Sequence, residues 1–222
     1  MPRAALAILL IATAVAGRAQ YAGGPLVGHI EGDRYFAPNG SYQVAIPVRP
    51  KMGAIVTDTP NVVTFKDDYD TLFTIASFPL DASQRWLLSE NGTREYLRRF
   101  FNDYVLPDFR HAFKGVEVED KGVFMPEFLD GVLVIYTLLP GGSMFADDLA
   151  VIDPNQKPPV AKRGNMLFVK NGFVFVVSTE LAERVTEGSA YSMKPAEENT
   201  VLREKLTDMA SKIRFPKSPP SP

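Results

Sequence analysis

The chain has 222 residues, a formal net charge of −2, two histidines and no cysteine. Those numbers exclude disulfides, cysteine nucleophiles and thiolate metal sites. They also leave no basic stripe for a phosphate backbone, so nucleic acid is not an expected partner.

The first segment, MPRAALAILLIATAVAGRAQ, has the grammar of an export signal. Arg3 is the positive n-region and Ala4 to Ala16 the apolar run. Ala14-Val15-Ala16 and Gly17-Arg18-Ala19 are small-x-small cleavage patterns. The run is shorter than the roughly 20 apolar residues that span a bilayer. Residues 1–19 are therefore expected to be a cleaved signal peptide, with a mature start near Gly17 or Gln20. The expected location is periplasmic or secreted. The absence of cysteine points to a bacterial source, and no later segment reaches membrane-spanning length. The remaining chain is long enough for one domain that buries roughly 70% of its unfolded surface.

Residues 20–32 (QYAGGPLVGHIEG) are glycine-rich and aperiodic, which predicts a flexible lead-in to a domain spanning 33–216. In YFAPNGSYQVAIPV, Tyr35 to Val48, Asn39-Gly40 is a turn from an entry segment into a first long strand at Tyr42–Ile46. A phosphate-cradling loop needs more glycines and a following helix, and here a strand and Pro47 follow. Val62–Lys66 and Leu72–Phe78 flank Asp67-Asp68-Tyr69-Asp70 as an antiparallel hairpin. Over 93–106 the period changes. Tyr96, Leu97, Phe100, Phe101, Tyr104 and Val105 form one face of a helix, entered through Asn91-Gly92-Thr93 and ended or kinked by Pro107. Trp86, the only tryptophan, stands in the linker before it and is expected to anchor the core.

Strands return at Val116–Phe124 and Val132–Leu139. The second is apolar on both parities and so needs a layer on each side. Asn171-Gly172, between two runs rich in β-branched and aromatic residues, predicts a type I′ hairpin across Asn165–Glu180. A last helix opens near Pro195, carries Glu197 and Glu198 at its positive end, and buries Leu202, Leu206, Met209 and Ile213. The tail, 217–222, lacks anything to pack and is expected to be disordered. The whole predicts an α+β fold, an antiparallel sheet of about six to eight strands covered by helices.

This order of elements resembles the PsbP/Mog-type fold. The resemblance runs over about residues 33–216 and rests on YFAPNGSYQVAIP, VVTFKDD, TLFTIASFP, GVLVIYTLLP, GNMLFVKNGFVFVV and KIRFP. It implies a helix–sheet–helix sandwich and a non-catalytic accessory or protein-binding role. Members include lumenal accessory subunits of photosystem assembly. No residue here matches a functional residue of that family.

The chemistry-bearing residues point mostly to bland roles. Ser143 follows a buried strand in Leu139-Pro140-Gly141-Gly142-Ser143. A nucleophile elbow would need a second glycine and a helix after it, and neither follows. His29 lies in the lead-in and His111 beyond a proline-broken helix. Counted from Asp67, the sixth and twelfth positions of a calcium loop hold Leu72 and Phe78, where Gly and Glu are required. Asp147-Asp148 would need partners from elsewhere. Glu117, Glu119, Asp120, Glu127 and Asp130 cluster as paired glycosidase carboxylates do, but on strands flanking a turn they are expected to form a solvated face. Asn39-Gly40-Ser41 and Asn91-Gly92-Thr93 match the glycosylation acceptor pattern, though Asn-Gly is also a common turn.

No catalytic residue, metal ligand or cofactor motif is therefore assigned. The long aperiodic stretch Gly141–Arg163 is the expected binding feature, with Phe145, Lys162 and Arg163 closing over a pocket. The expected function is an exported, soluble, non-catalytic module that binds a protein or an envelope component. The alternatives are a hydrolase using Ser143 or a carboxylate, and a carrier of a small apolar ligand in the helix–sheet gap.

Overall fold

A computed structural model describes residues 21, 23–119, 122–145 and 159–217. The chain enters through short strands β1 (His29–Glu31), β2 (Arg34–Phe36) and β3 (Gln43–Ala45). Then come β4 (Ile55–Asp58), β5 (Val62–Lys66) and β6 (Leu72–Pro79). Helix α1 (Ala82–Phe100) runs through a π-helical turn, Phe101–Val105, into α2 (Leu106–Ala112). Strands β7 (Glu117–Val118), β8 (Val123–Met125) and β9 (Val132–Pro140) precede the hairpin of β10 (Val160–Lys170) and β11 (Phe173–Glu180). Helices α3 (Glu183–Thr186) and α4 (Pro195–Ser211) and strand β12 (Ile213–Arg214) close the described chain.

The fold is α+β. Eight antiparallel strands form the main sheet in the order β4-β5-β6-β11-β10-β9-β7, with β8 also paired to β9. Both expected hairpins are present. At the second, Asn171 (φ 50°) and Gly172 (φ 78°) take the left-handed conformations that a two-residue turn of this kind requires. At the first, Asp67 holds the turn from inside. It is buried, and its Oδ1 accepts the N–H groups of Tyr69, Asp70 and Thr71 at 3.0–3.1 Å.

Alternation along the strands splits the core in two. Val132, Val134, Tyr136, Met166, Phe168, Phe175 and Val177 face α4, which contributes Leu202, Leu206 and Met209. Leu133, Ile135, Leu167, Val174 and Val176 face α1 and the π turn. This is why β9 is apolar on both parities. Each fully buried Leu or Met contributes about 1.5–3 kcal/mol.

Three differences from expectation have physical causes. First, the stretch 20–32 is not a plain lead-in. It carries β1, which pairs β2, and Asp58 at the end of β4 accepts hydrogen bonds from the Val27 and Gly28 N–H groups and the Tyr35 hydroxyl at 2.7–2.8 Å. The segment after Asn39-Gly40 is likewise a three-residue strand of a separate four-stranded sheet, β1-β2-β3-β12. The turn itself joins that sheet to the main one. Asn39 Oδ1 accepts from the Ser41 N–H and hydroxyl, and its Nδ2 donates to Ser77 Oγ.

Second, α1 starts at Ala82, not at Thr93, because Asp81 and Gln84 form a reciprocal capping box. Asn91-Gly92-Thr93 is a kink within it, where Gly92 leaves the helical region (φ 73°, ψ 165°). Trp86 therefore sits on a helix, and at 61% exposure it anchors no core. Third, Pro107 does not end the helical run. It lacks an N–H and its ring crowds the carbonyl four residues back, so the preceding turn widens, with the Leu106 N–H reaching the Phe101 carbonyl.

Candidate functional site

The three residues expected to close a pocket are inside the fold. Lys162 and Arg163 belong to β10, which begins at Val160 and so takes in the end of the stretch read as a loop. Lys162 is fully buried. Its ammonium pairs with Glu198 at 2.8 Å and with Glu119, and lies 5.8 Å from the Tyr136 ring centroid. Glu198 also accepts from Arg184 and from the Tyr191 hydroxyl. Burial works to raise the Glu198 carboxyl, but hydrogen bonds from Lys162 and Tyr191 outweigh it and hold the group below its ordinary value. Phe145 packs in a small buried cluster with Leu72 and Ala182.

Arg163 donates to the Gly142 carbonyl at 2.8 Å and pairs with fully buried Glu180 at 3.5 Å. Glu180 in turn accepts the Ser143 hydroxyl at 2.5 Å and the Met144 N–H at 3.1 Å. These are interior ion pairs that fasten segment 141–145 and α4 to the sheet. They do not form a lid.

The hydrolase constellation is not assembled either. The Ser143 hydroxyl is committed to Glu180, and His111 is exposed on α2 with no hydrogen-bond or ion-pair partner among the described residues. The carboxylates diverge. Glu119 faces Lys162, Asp130 pairs with Lys170 at 2.6 Å, and Glu117 and Glu127 point to solvent. Asp120, Asp147 and Asp148 lie outside the described residues. Among the described residues no group of three or more His, Asp or Glu side chains could hold a metal ion, and no helix is long and apolar enough to cross a membrane.

What the chain does build is an apolar cleft of about 620 Å³ between the sheet and the π turn. Thr74, Ala76 and Phe78 of β6 face the helical layer, as do Val62 of β5 and Val176 and Ser178 of β11. In register, Val62, Ala76 and Val176 form one row across three strands, and Thr74 and Ser178 pair in the next. Ala76 is the small residue in the middle of its row, and its missing bulk makes the floor concave. Ser178 donates to Asn165 at 2.9 Å, so its polar atom is satisfied within the sheet.

Phe100, Tyr104, Val105, Pro107 and Phe109 form the opposite wall. Tyr96, Phe100 and Tyr104 stand in a row with ring centroids 6.2 and 4.9 Å apart. Burial, with Tyr104 and Asp81 nearby, pushes the Tyr96 hydroxyl up to about 12. The gap between helix and sheet was read from the sequence as one place for a ligand; its lining was not. One signal was available. The apolar pattern resumes beyond Pro107 at Phe109 and Phe113, which marks a proline inside a helical run.

No protein-family model and no curated protein matches the chain. Among solved structures it is similar to cyanobacterial PsbP (CyanoP) from Synechocystis, with 14% identity over 82% of this chain and 91% of that one, at TM-score 0.48. It is also similar to the Ran-binding protein Mog1p of Saccharomyces cerevisiae, with 13% identity, coverage of 82% and 94%, and TM-score 0.45. A third similar structure, from Bacteroides thetaiotaomicron, shares 8% identity over 85% of this chain at TM-score 0.41, and the chain spans half of that protein's length. At these identities the likeness is one of fold.

Proposed function

We propose that the protein is an exported, non-catalytic binding module that takes up a small, largely apolar molecule in the cleft between the π turn and the sheet. The observation that carries this is the cleft. Its volume falls in the roughly 300–1,000 Å³ range of small-molecule sites, and apolar side chains line most of it. Among the described residues no nucleophile, base and orienting group converge on it, so uptake without chemistry is the reading that its lining supports. The ligand is then a constituent of the envelope or of the fluid around it.

Filling the cleft tests the proposal. Val62 is half-buried on its floor, so Val62→Trp adds bulk there with little cost to the core. The wild-type chain should bind the neutral apolar dye Nile red, and Val62→Trp should weaken that binding by about tenfold or more, equivalent to about 1.4 kcal/mol or more. The melting temperature should change little. Undiminished dye binding in a folded variant would place uptake elsewhere.

Export rests on Arg3, the Ala4–Ala16 run and the small-x-small patterns, all outside the described residues. N-terminal sequencing of exported protein should read from near Gly17 or Gln20. An intact Met1 on exported material would refute cleavage.

A further inference from the structure

We infer that the cleft selects an amphiphile with a single alkyl chain and a cationic, hydrogen-bond-donating head, such as an alkylammonium. This rests on the cleft being a ligand site and adds the sign of its ligand. Two of the residues that line it are carboxylates, Asp103 in the π turn and Asp108 in the first turn of α2. Both are exposed, and among the described residues neither has a hydrogen-bond or ion-pair partner. Among the described residues no Lys, Arg or His side chain lines the cleft.

The π turn accounts for the pairing. On a regular helix, residues five apart are turned well away from each other. A turn closed five residues back instead brings such residues toward one face, and Asp103 with Asp108, like Tyr104 with Phe109, both reach the cleft. An apolar interior with two unpartnered negative charges at its rim complements an ammonium head. It opposes a carboxylate or phosphate head, which would face like charge beside a surface of low dielectric. Carboxylates only accept hydrogen bonds, so a head that donates is matched and one that only accepts is not. The cleft also exceeds what one inserted side chain of a protein partner fills, and its volume has room for an alkyl chain.

The test is displacement of Nile red by dodecylammonium, dodecanol and dodecanoate below their aggregation limits. It is run at low and high salt on the wild type, Asp103→Asn/Asp108→Asn and Val62→Trp. Dodecylammonium should bind about tenfold or more tightly than dodecanoate, with dodecanol between them. The preference should fall to within about threefold in the double Asn variant and shrink in high salt. Both aspartates are exposed, so that variant keeps the fold. Equal binding of all three amphiphiles, blocked by Val62→Trp, would overturn the inferred charge preference and leave the cleft as the site. Tighter binding of dodecanoate would overturn it as well. Displacement by none of them, or displacement that Val62→Trp leaves unchanged, would overturn the cleft reading together with the inference.

Discussion

Lys162→Met should destabilise the protein by about 3–5 kcal/mol, the cost of removing one partner from a buried ion pair. For a domain of this size that is a fall in melting temperature on the order of 10 °C. Methionine matches the length of the lysine stem and keeps its packing, so the loss isolates the charge. Two carboxylates depend on this ammonium. Glu198 is as buried as Lys162 itself, while the Glu119 side chain keeps 22% exposure and can be partly solvated. The double variant Lys162→Met/Glu198→Leu should cost less than the sum of the two single changes, because neither charge is then left alone in the interior. Additive losses in urea unfolding would show that the two groups do not interact.

The same network fixes a pH dependence. The folded-state pKa of Glu198 is lowered, so its contribution is complete above the ordinary carboxylate value and is lost as pH falls through the folded value. Lys162 is among the groups that lower it. Without that ammonium, burial is opposed only by the hydrogen bonds from Tyr191 and Arg184, and the lowering of Glu198 is smaller. The stability gap between wild type and Lys162→Met should therefore be widest near neutral pH and narrow on acidification. A gap that stays constant down to acid would mean that Glu198 does not sense Lys162.

How far the sequence reaches follows from the range of each interaction. Both long hairpins were legible because their determinants lie within a few residues. Asn171-Gly172 between aromatic runs needs no distant partner, and β9 announces two covering layers by its own composition. The small sheet was not legible, since strands of three and two residues have no period to detect, and β3 and β12 pair across most of the chain. The start of α1 was legible at Asp81–Gln84 but was masked by Trp86, which is exposed, beside Leu87 and Leu88, which pack partly buried against the core.

Lys162 and Arg163 were read as closing over a pocket because they end a long aperiodic stretch. Their partners Glu198 and Glu180 are elsewhere in the chain, and only the fold brings them together. The cleft depends on Ala76 standing between Val62 and Val176 on neighbouring strands, a relation that exists only in register.

That correction reverses the outcome expected for a larger change. Were 141–163 a loop with no part in the core, exchanging the whole segment for a short linker would leave the fold intact. The structure leads to the opposite expectation: the exchanged chain should show no cooperative unfolding transition. The exchange removes Phe145, whose loss alone costs about 3–5 kcal/mol on the scale of buried aromatic truncations. It removes Lys162, for about another 3–5 kcal/mol. It deletes the first rungs of the β9–β10 ladder, where Val160, Ala161, Lys162 and Arg163 pair with Pro140, Leu139, Leu138 and Thr137. It also leaves Glu180, fully buried at the end of β11, without Ser143, the Met144 N–H or Arg163.

The first two losses alone come to about 6–10 kcal/mol, comparable to the whole stability of an ordinary domain, about 5–15 kcal/mol, before the ladder and Glu180 are counted. A narrower exchange that keeps 141–145 and everything from Pro159 onward spares each of these contacts, including the Gly141 N–H donating to the Pro159 carbonyl at 2.9 Å. That protein should melt cooperatively within a few degrees of wild type and still take up Nile red. Cooperative melting of the wider exchange in calorimetry would mean that the interior pairs of Lys162, Arg163 and Glu180 do not hold the fold together.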